Sequence, residues 1–229
     1  MMINNKYKSL SNIKQMLKSQ FILVGLLLVT FNLVSFKKTN QILKIDYFGE
    51  INLPDEMEIQ AGELKNLTNA YGKTLFSNNE KHESLIFQQK GLNSSDANSF
   101  KTYARIVIDT YKSEKGTYKN LSESNNLNKD DIDFYLNNFQ IQVQNVFPKM
   151  KMKLISTNET IISKIGKHFC TKHSFVRQLE NSPPVFVEVI RVQNNDRVHL
   201  ISFSYRIEDE LRWKPIMQNV LQSIKIKKF

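Results

Sequence analysis

Two hydrophobic periods alternate along this chain. In Arg197 to Tyr205 the string RVHLISFSY steps by two, placing His199, Ile201, Phe203 and Tyr205 on one side of a strand and Val198, Leu200, Ser202 and Ser204 on the other. PPVFVEVIRV, just before it, puts Val185, Val187 and Val189 on one face and Phe186, Ile190 and Val192 on the opposite one. Gln193 to Asp196 is a short polar turn between the two runs, so together they predict a hairpin. The period then lengthens. Trp213, Ile216, Met217, Val220, Leu221 and Ile224 recur at steps of three and one, which makes a single stripe on a helix and cannot alternate across a strand. Pro215 lacks an amide hydrogen, so the regular helix is expected over Lys214 to Ser223, with Pro215 in its first turn after the acidic lead-in Glu208 to Glu210.

The same rhythms recur upstream. DYFGEINLPDEMEIQ, from Asp46, alternates and breaks at Leu53 to Asp55, which reads as a first strand ending in a turn. Gln60 to Asn79 holds Leu64, Leu67 and Tyr71 at helical spacing between Gly62 and Gly72, a short helix. Ser84 to Lys90 and Tyr103 to Tyr111 read as strands; in the second, Ala104, Ile106 and Ile108 form one face, and Tyr103, Val107 and Tyr111 share the other with Arg105 and Asp109. Asn128 can cap a second helix, whose stripe runs through Ile132, Tyr135, Leu136, Phe139, Val143, Val146 and Phe147 until Pro148 stops it. Lys153 to Ile155, Glu159 to Ser163 and Lys167 to Leu179 supply further extended segments. The pattern predicts an α+β fold in which the two helices lie against one face of an antiparallel sheet.

One run obeys neither period. Phe21 to Phe36 is apolar around its whole circumference and follows a lysine-bearing start, the composition of a signal peptide h-region; Lys37 and Lys38 follow without an A-x-A cleavage pattern, so an uncleaved anchor is the competing reading. Residues 1–40 are therefore expected to be a signal peptide or anchor, and residues 41–229 a single domain that is exported, periplasmic or secreted.

Charge changes the picture little. Of the net +10, four charges belong to Lys6, Lys8, Lys14 and Lys18. The clusters Lys149, Lys151, Lys153 and Lys225, Lys227, Lys228 suit a solvated basic face or contact with a membrane surface, but lack the interleaved arginines and stacking aromatics of a nucleic-acid site. The sole cysteine, Cys170, excludes an internal disulfide.

Candidate chemistry is sparse. In HFCTKH, His168 and Cys170 share one face of a strand while His173 points to the other, so two ligands stand together where structural zinc takes four; the expectation is a buried thiol beside surface histidines, with no metal and no cofactor. There is no G-x-S-x-G elbow, no Walker A and no dinucleotide fingerprint. Asp130 with Asp131, and Glu208 to Glu210, sit where helices begin and complement the macrodipole. Tyr103, Tyr111, Phe203 and Tyr205 read as core aromatics rather than a pocket lining. Asn66 to Thr68 and Asn158 to Thr160 match a glycosylation acceptor. No catalytic residue is assigned.

The order of elements from Asp46 to Lys227 resembles the PsbP-like fold, shared by Mog-type Ran-binding import factors and several exported bacterial domains. INLPDEM at Ile51 to Met57, the hairpin with HLISFSY, and the closing WKPIMQNVLQSIKI carry the resemblance. It implies an α+β sheet with a closing helix and a protein that binds partners rather than catalysing, since the family has no catalytic motif; the export signal argues against a Ran-binding role. The expected function is a non-catalytic exported binding or assembly module of the bacterial cell envelope, its partner another envelope protein. A small-molecule or metal-ligand carrier using a pocket between sheet and helix is the alternative.

Overall fold

The computed structural model describes residues 41–62, 81–121, 136–137, 139–141 and 143–229. The leader at Phe21 to Phe36, the short helix expected within Gln60 to Asn79, the Asn128 cap and the Asn66 acceptor lie outside them, apart from Gln60 to Gly62.

Among the described residues, eleven strands run in chain order: β1 Gln41–Ile45, β2 Gly49–Leu53, β3 Met57–Ile59, β4 Lys81–Gln89, β5 Ala104–Lys112, β6 Met152–Thr157, β7 Ile161–Ile165, β8 His168–Leu179, β9 Val185–Asn194, β10 Arg197–Arg206 and β11 Lys225–Ile226. They form an eight-stranded sheet of order β3-β4-β5-β10-β9-β8-β6, with β7 also on β8, and a three-stranded sheet β1-β2-β11; all pairs are antiparallel. The predicted hairpin is the centre of the large sheet. Its strands pair from Arg197↔Asn194 to Arg206↔Val185, so the turn is tighter than expected: only Asn195 and Asp196 lie between them, Asn195 at φ 63°.

Register decides what is buried. Ile108, Ile201 and Ile190 face one another across β5, β10 and β9, and Ala104, Tyr205 and Phe186 do the same further along. The apolar side of β10 is thus the floor of the main core, joined there by Trp213, Met217 and Val220 of the closing helix, Glu210–Ser223, and by Ile224 just after it. Two expectations about this helix change. It begins a turn before Lys214, after a 3-10 turn at Ile207–Asp209, so Pro215 is inside the helix. The missing amide costs one bond, the one to the Leu211 carbonyl. Leu211 is 97% exposed, so water can satisfy that carbonyl and the break is tolerated. Trp213 fixes the helix start: its Nε1 donates to Thr102 Oγ1 at 2.7 Å, and Thr102 in turn donates to Asp209 Oδ2 at 2.7 Å.

The second helix does lie on the sheet, but on the opposite face. Residues 136–145 include helical Phe139 and Val143, which pack with Phe147 on Phe175 and Val187. Alternation supplies the reason: Val187 and Phe175 project away from Ile190 and Cys170, which belong to the main core. Among the described residues, the sheet is therefore covered by one helix on each side, not by two on one. The first strand also differs. Gln41–Ile45 precedes Asp46, and Asp46 to Phe48 is a turn, closed by Phe48 N donating to Ile45 O at 3.0 Å. Gly49, at φ 143°, lets β11 approach β2, since a Cβ there would meet the Lys225 carbonyl.

Candidate functional site

A cleft of about 690 Å³ opens where the β1–β2 hairpin overhangs β3, β4 and β5. Leu43 and Ile45 from β1, Ile59 from β3 and Leu85 from β4 make its aliphatic surface. Three of its charged side chains, Glu83, Lys112 and Arg197, are matched within the chain, and Lys44 and Asp46 complete its charged lining. Glu83 Oε1 pairs with Lys112 Nζ at 2.6 Å, across the β4–β5 ladder. Arg197 Nε and Nη2 donate to the two carboxylate oxygens of Asp196 at 2.8 Å each, and its guanidinium lies 3.3 Å over the Phe229 ring. The Arg197 hydrogen bond holds the Asp196 carboxyl below its usual range, while burial, and then the charges of Glu83 and Asp109, raise the Tyr47 phenol. Tyr47 thus enters the cleft as a protonated side chain, a donor rather than a base. An opening with aliphatic walls and most of its charges already paired is suited to holding another surface.

A smaller cavity of about 130 Å³ separates the closing helix from the sheet, between Phe186, Phe203 and Tyr205 below and Met217 and Leu221 above. Lys172 and Glu188 pair at 2.7 Å along its wall. This is the sheet-helix pocket the carrier alternative requires.

The histidine and cysteine cluster is divided as strand alternation demands. Cys170 is in the main core, where burial pushes its thiol up to about 11 against a smaller opposing pull from Lys172. His168 is on the same face, half-buried. His173 is on the other and is not a surface histidine: it is buried, its ring nitrogens 3.2 Å from the hydroxyls of Thr157 and Thr160, with Phe139 edge-on at 4.7 Å. Thr160 is the hydroxyl of the Asn158 acceptor motif, so that motif has a packing role. Among the described residues, no three His, Cys, Asp or Glu side chains are grouped to hold a metal ion. Tyr103 and Tyr111 lie on the face opposite Phe203 and Tyr205, so the four predicted aromatics do not meet.

His199 had been read only as part of an apolar stripe. It is fully buried beneath an edge-on Phe48 ring. Its Nε2 is 3.4 Å from the Asn194 amide nitrogen, a donor, so Nε2 accepts and Nδ1 carries the proton donated to Thr110 Oγ1 at 2.9 Å. Asn194 also donates to Lys227 O at 2.7 Å, which ties the chain after β11 to this polar cluster.

Two solved structures are similar to this chain. The solution structure of cyanobacterial PsbP (CyanoP) from Synechocystis sp. PCC 6803 has 7% identity and a TM-score of 0.47, with 85% of this chain and 95% of that one covered. The crystal structure of the Pseudomonas aeruginosa protein PA94 has 10% identity and a TM-score of 0.42, with 83% and 99% covered. The first bears the name of the family that the sequence resembles. No protein-family model matches, and no curated protein matches. Among the described residues, no helix is long and apolar enough to cross a membrane.

The cleft was not foreseen, because its parts are distant in sequence: Leu43, Ile59, Leu85, Lys112 and Arg197 meet only through strand pairing. One signal was available. QILKI, at Gln41 to Ile45, alternates weakly just ahead of the run taken as the first strand.

Proposed function

We propose that this chain is a non-catalytic binding or assembly module that docks a protein partner at the β1 cleft. The observation that carries the reading is the cleft itself: aliphatic walls, Glu83, Lys112 and Arg197 paired within the chain, and a volume inside the range of about 300 to 1,000 Å³ that binding sites occupy. The leader-like run Phe21 to Phe36 supports the finer reading, an exported component of the bacterial cell envelope whose partner is another envelope protein. Lys225, Lys227 and Lys228 would favour an anionic surface nearby. A photo-cross-linking side chain at Lys44, in cells, should give a discrete protein adduct that the same probe at the exposed Leu211 does not. Equal labelling from both positions, or none from Lys44, overturns the reading.

The small-molecule carrier is the second reading, favoured by the sheet-helix cavity with its Lys172–Glu188 pair. Size decides the order. At about 130 Å³ the cavity is near that of engineered sites holding one benzene, well below ordinary ligand pockets. Native mass spectrometry of exported protein should show the mass of the chain alone; a stoichiometric small-molecule adduct would reverse the order.

A further inference from the structure

The cleft is lined by consecutive residues of one strand, Leu43, Lys44 and Ile45, then Asp46 and Tyr47. A strand seen face-on presents alternate residues; a consecutive run means that the cleft looks onto its backbone edge. Two hydrogen bonds say which backbone groups that edge offers. Ile45 O is turned toward the hairpin, where it accepts from Phe48 N, and Asn52 N points away from β1, to Ser223 Oγ at 3.0 Å. Ile42 is opposite Asn52 and Lys44 opposite Glu50, so the N–H and C=O of Ile42 and Lys44 face away from β2. The edge is open: β1 ends the order of its sheet, and among the described residues no backbone bond reaches those groups.

We infer that the occupant of the cleft is an extended segment of another protein, which adds as a fourth strand to the free edge of β1. This rests on the docking role proposed above and names the form of the partner. Only an extended backbone offers donors and acceptors at the spacing of Ile42 and Lys44. Leu43 and Ile45 turn inward against the main core while Ile42 and Lys44 are exposed, so an added strand would follow the same alternation. Every second side chain would rest on Ile59 and Leu85, and the others would face water. The partner segment is therefore about five residues long, to match β1, and apolar at alternate positions.

Proline separates this edge from the rest of the cleft. Lys44→Pro removes a donor that faces outward and leaves the β1–β2 bonds in place, whereas Lys44→Ala keeps it. The probe is a fluorescein-labelled eight-residue peptide alternating valine and threonine, added to the full chain. Wild type should bind it with slowed amide exchange at Ile42 and Lys44, and Lys44→Pro should bind at least tenfold more weakly than Lys44→Ala, which lacks the same side chain but keeps the amide, at a melting temperature equal to that of Lys44→Ala. Ile42→Pro repeats the test should Lys44→Pro fail to fold. Equal binding by the proline variants overturns the inference, as does no peptide binding at all, while an adduct from a cross-linker at Lys44 would still uphold the docking role. Slow exchange of the two amides without peptide overturns it as well: independent of protein concentration it means that the chain's own segment fills the edge, and rising with concentration it means a second copy.

Discussion

The two faces of the large sheet are built from the same strands yet carry very different cores. On the closing-helix side nineteen buried residues form one cluster, from Phe48 and Ile51 of the small sheet to Trp213 and Ile224. On the other side, among the described residues, Phe147, Phe175 and Val187 are the buried members, and Phe139 and Val143 are only partly covered. The first face receives a helix and a second sheet. What is described on the second is one helical segment, with the polar side of β4 and β5 beside it, including His82 stacked on Tyr111 and bonded to Asp109. Among the described residues, the buried apolar side chains are therefore concentrated on the closing-helix side.

Truncation tests this asymmetry most strongly. Trp213→Ala should cost about 3 to 5 kcal/mol, since it opens a cavity in the main core and leaves Thr102 without its donor. Phe139→Ala, on the other face, should cost only about 1 kcal/mol, as that ring is partly exposed. Both are read from urea midpoints at constant slope, and equal costs would abolish the contrast.

Acid should act mainly through the main core. Burial, then Arg197 and His168, push the His199 imidazole down to about 4, with Asp196 opposing. The folded chain holds His199 neutral while the unfolded chain protonates near the ordinary 6.5, so this contribution is complete above pH 6.5 and is lost as pH falls from 6.5 to 4. The loss should approach 3 kcal/mol, to order of magnitude. Protonation also sets a second donor against the Asn194 amide, which itself holds Lys227. His199→Gln should flatten the pH dependence of the urea midpoint in this window. The His173 imidazole is also lowered by burial, so His173→Gln should flatten it in the same direction. A larger change from His173→Gln would place the acid-sensitive centre on the thinner face.

A smaller effect than that of truncating Trp213 is expected at the joint between loop and helix. Thr102→Val removes the acceptor for Trp213 Nε1 and the donor to Asp209 while keeping the shape, which should cost about 1 to 3 kcal/mol, toward the lower end because Asp209 can turn to water. Differential scanning calorimetry would show it as a lowered melting temperature; no change would mean that packing alone positions the closing helix.

Much of this was legible in the chain. Period two in RVHLISFSY and YARIVIDTY names the buried sides of β10 and β5, and the stripe from Trp213 to Ile224 names the face of the closing helix, because alternation and helical pitch are local properties of the backbone. Pro215 misled because its cost depends on the surroundings: inside a helix it is tolerable where the orphaned Leu211 carbonyl faces water. The side of the sheet taken by each helix was equally out of reach, since a stripe says that a helix is covered on one face and not by which surface. His173 and His199 illustrate the same limit, for whether a histidine is surface or core depends on what crosses it: Phe139 in one case, Phe48 in the other.

What the sequence determined by itself is the central hairpin, the strand through Tyr103 to Tyr111, the closing helix and the inward side of each, since these follow from covalent geometry repeated every two or 3.6 residues. Only the tertiary structure decided that one helix lies on each face, that Gln41–Ile45 is a strand with an open edge, and that Leu43, Ile59, Leu85 and Arg197 surround one cleft. Those are consequences of pairing between distant segments, and register between distant strands is set by the whole packed core, not by any stretch within it.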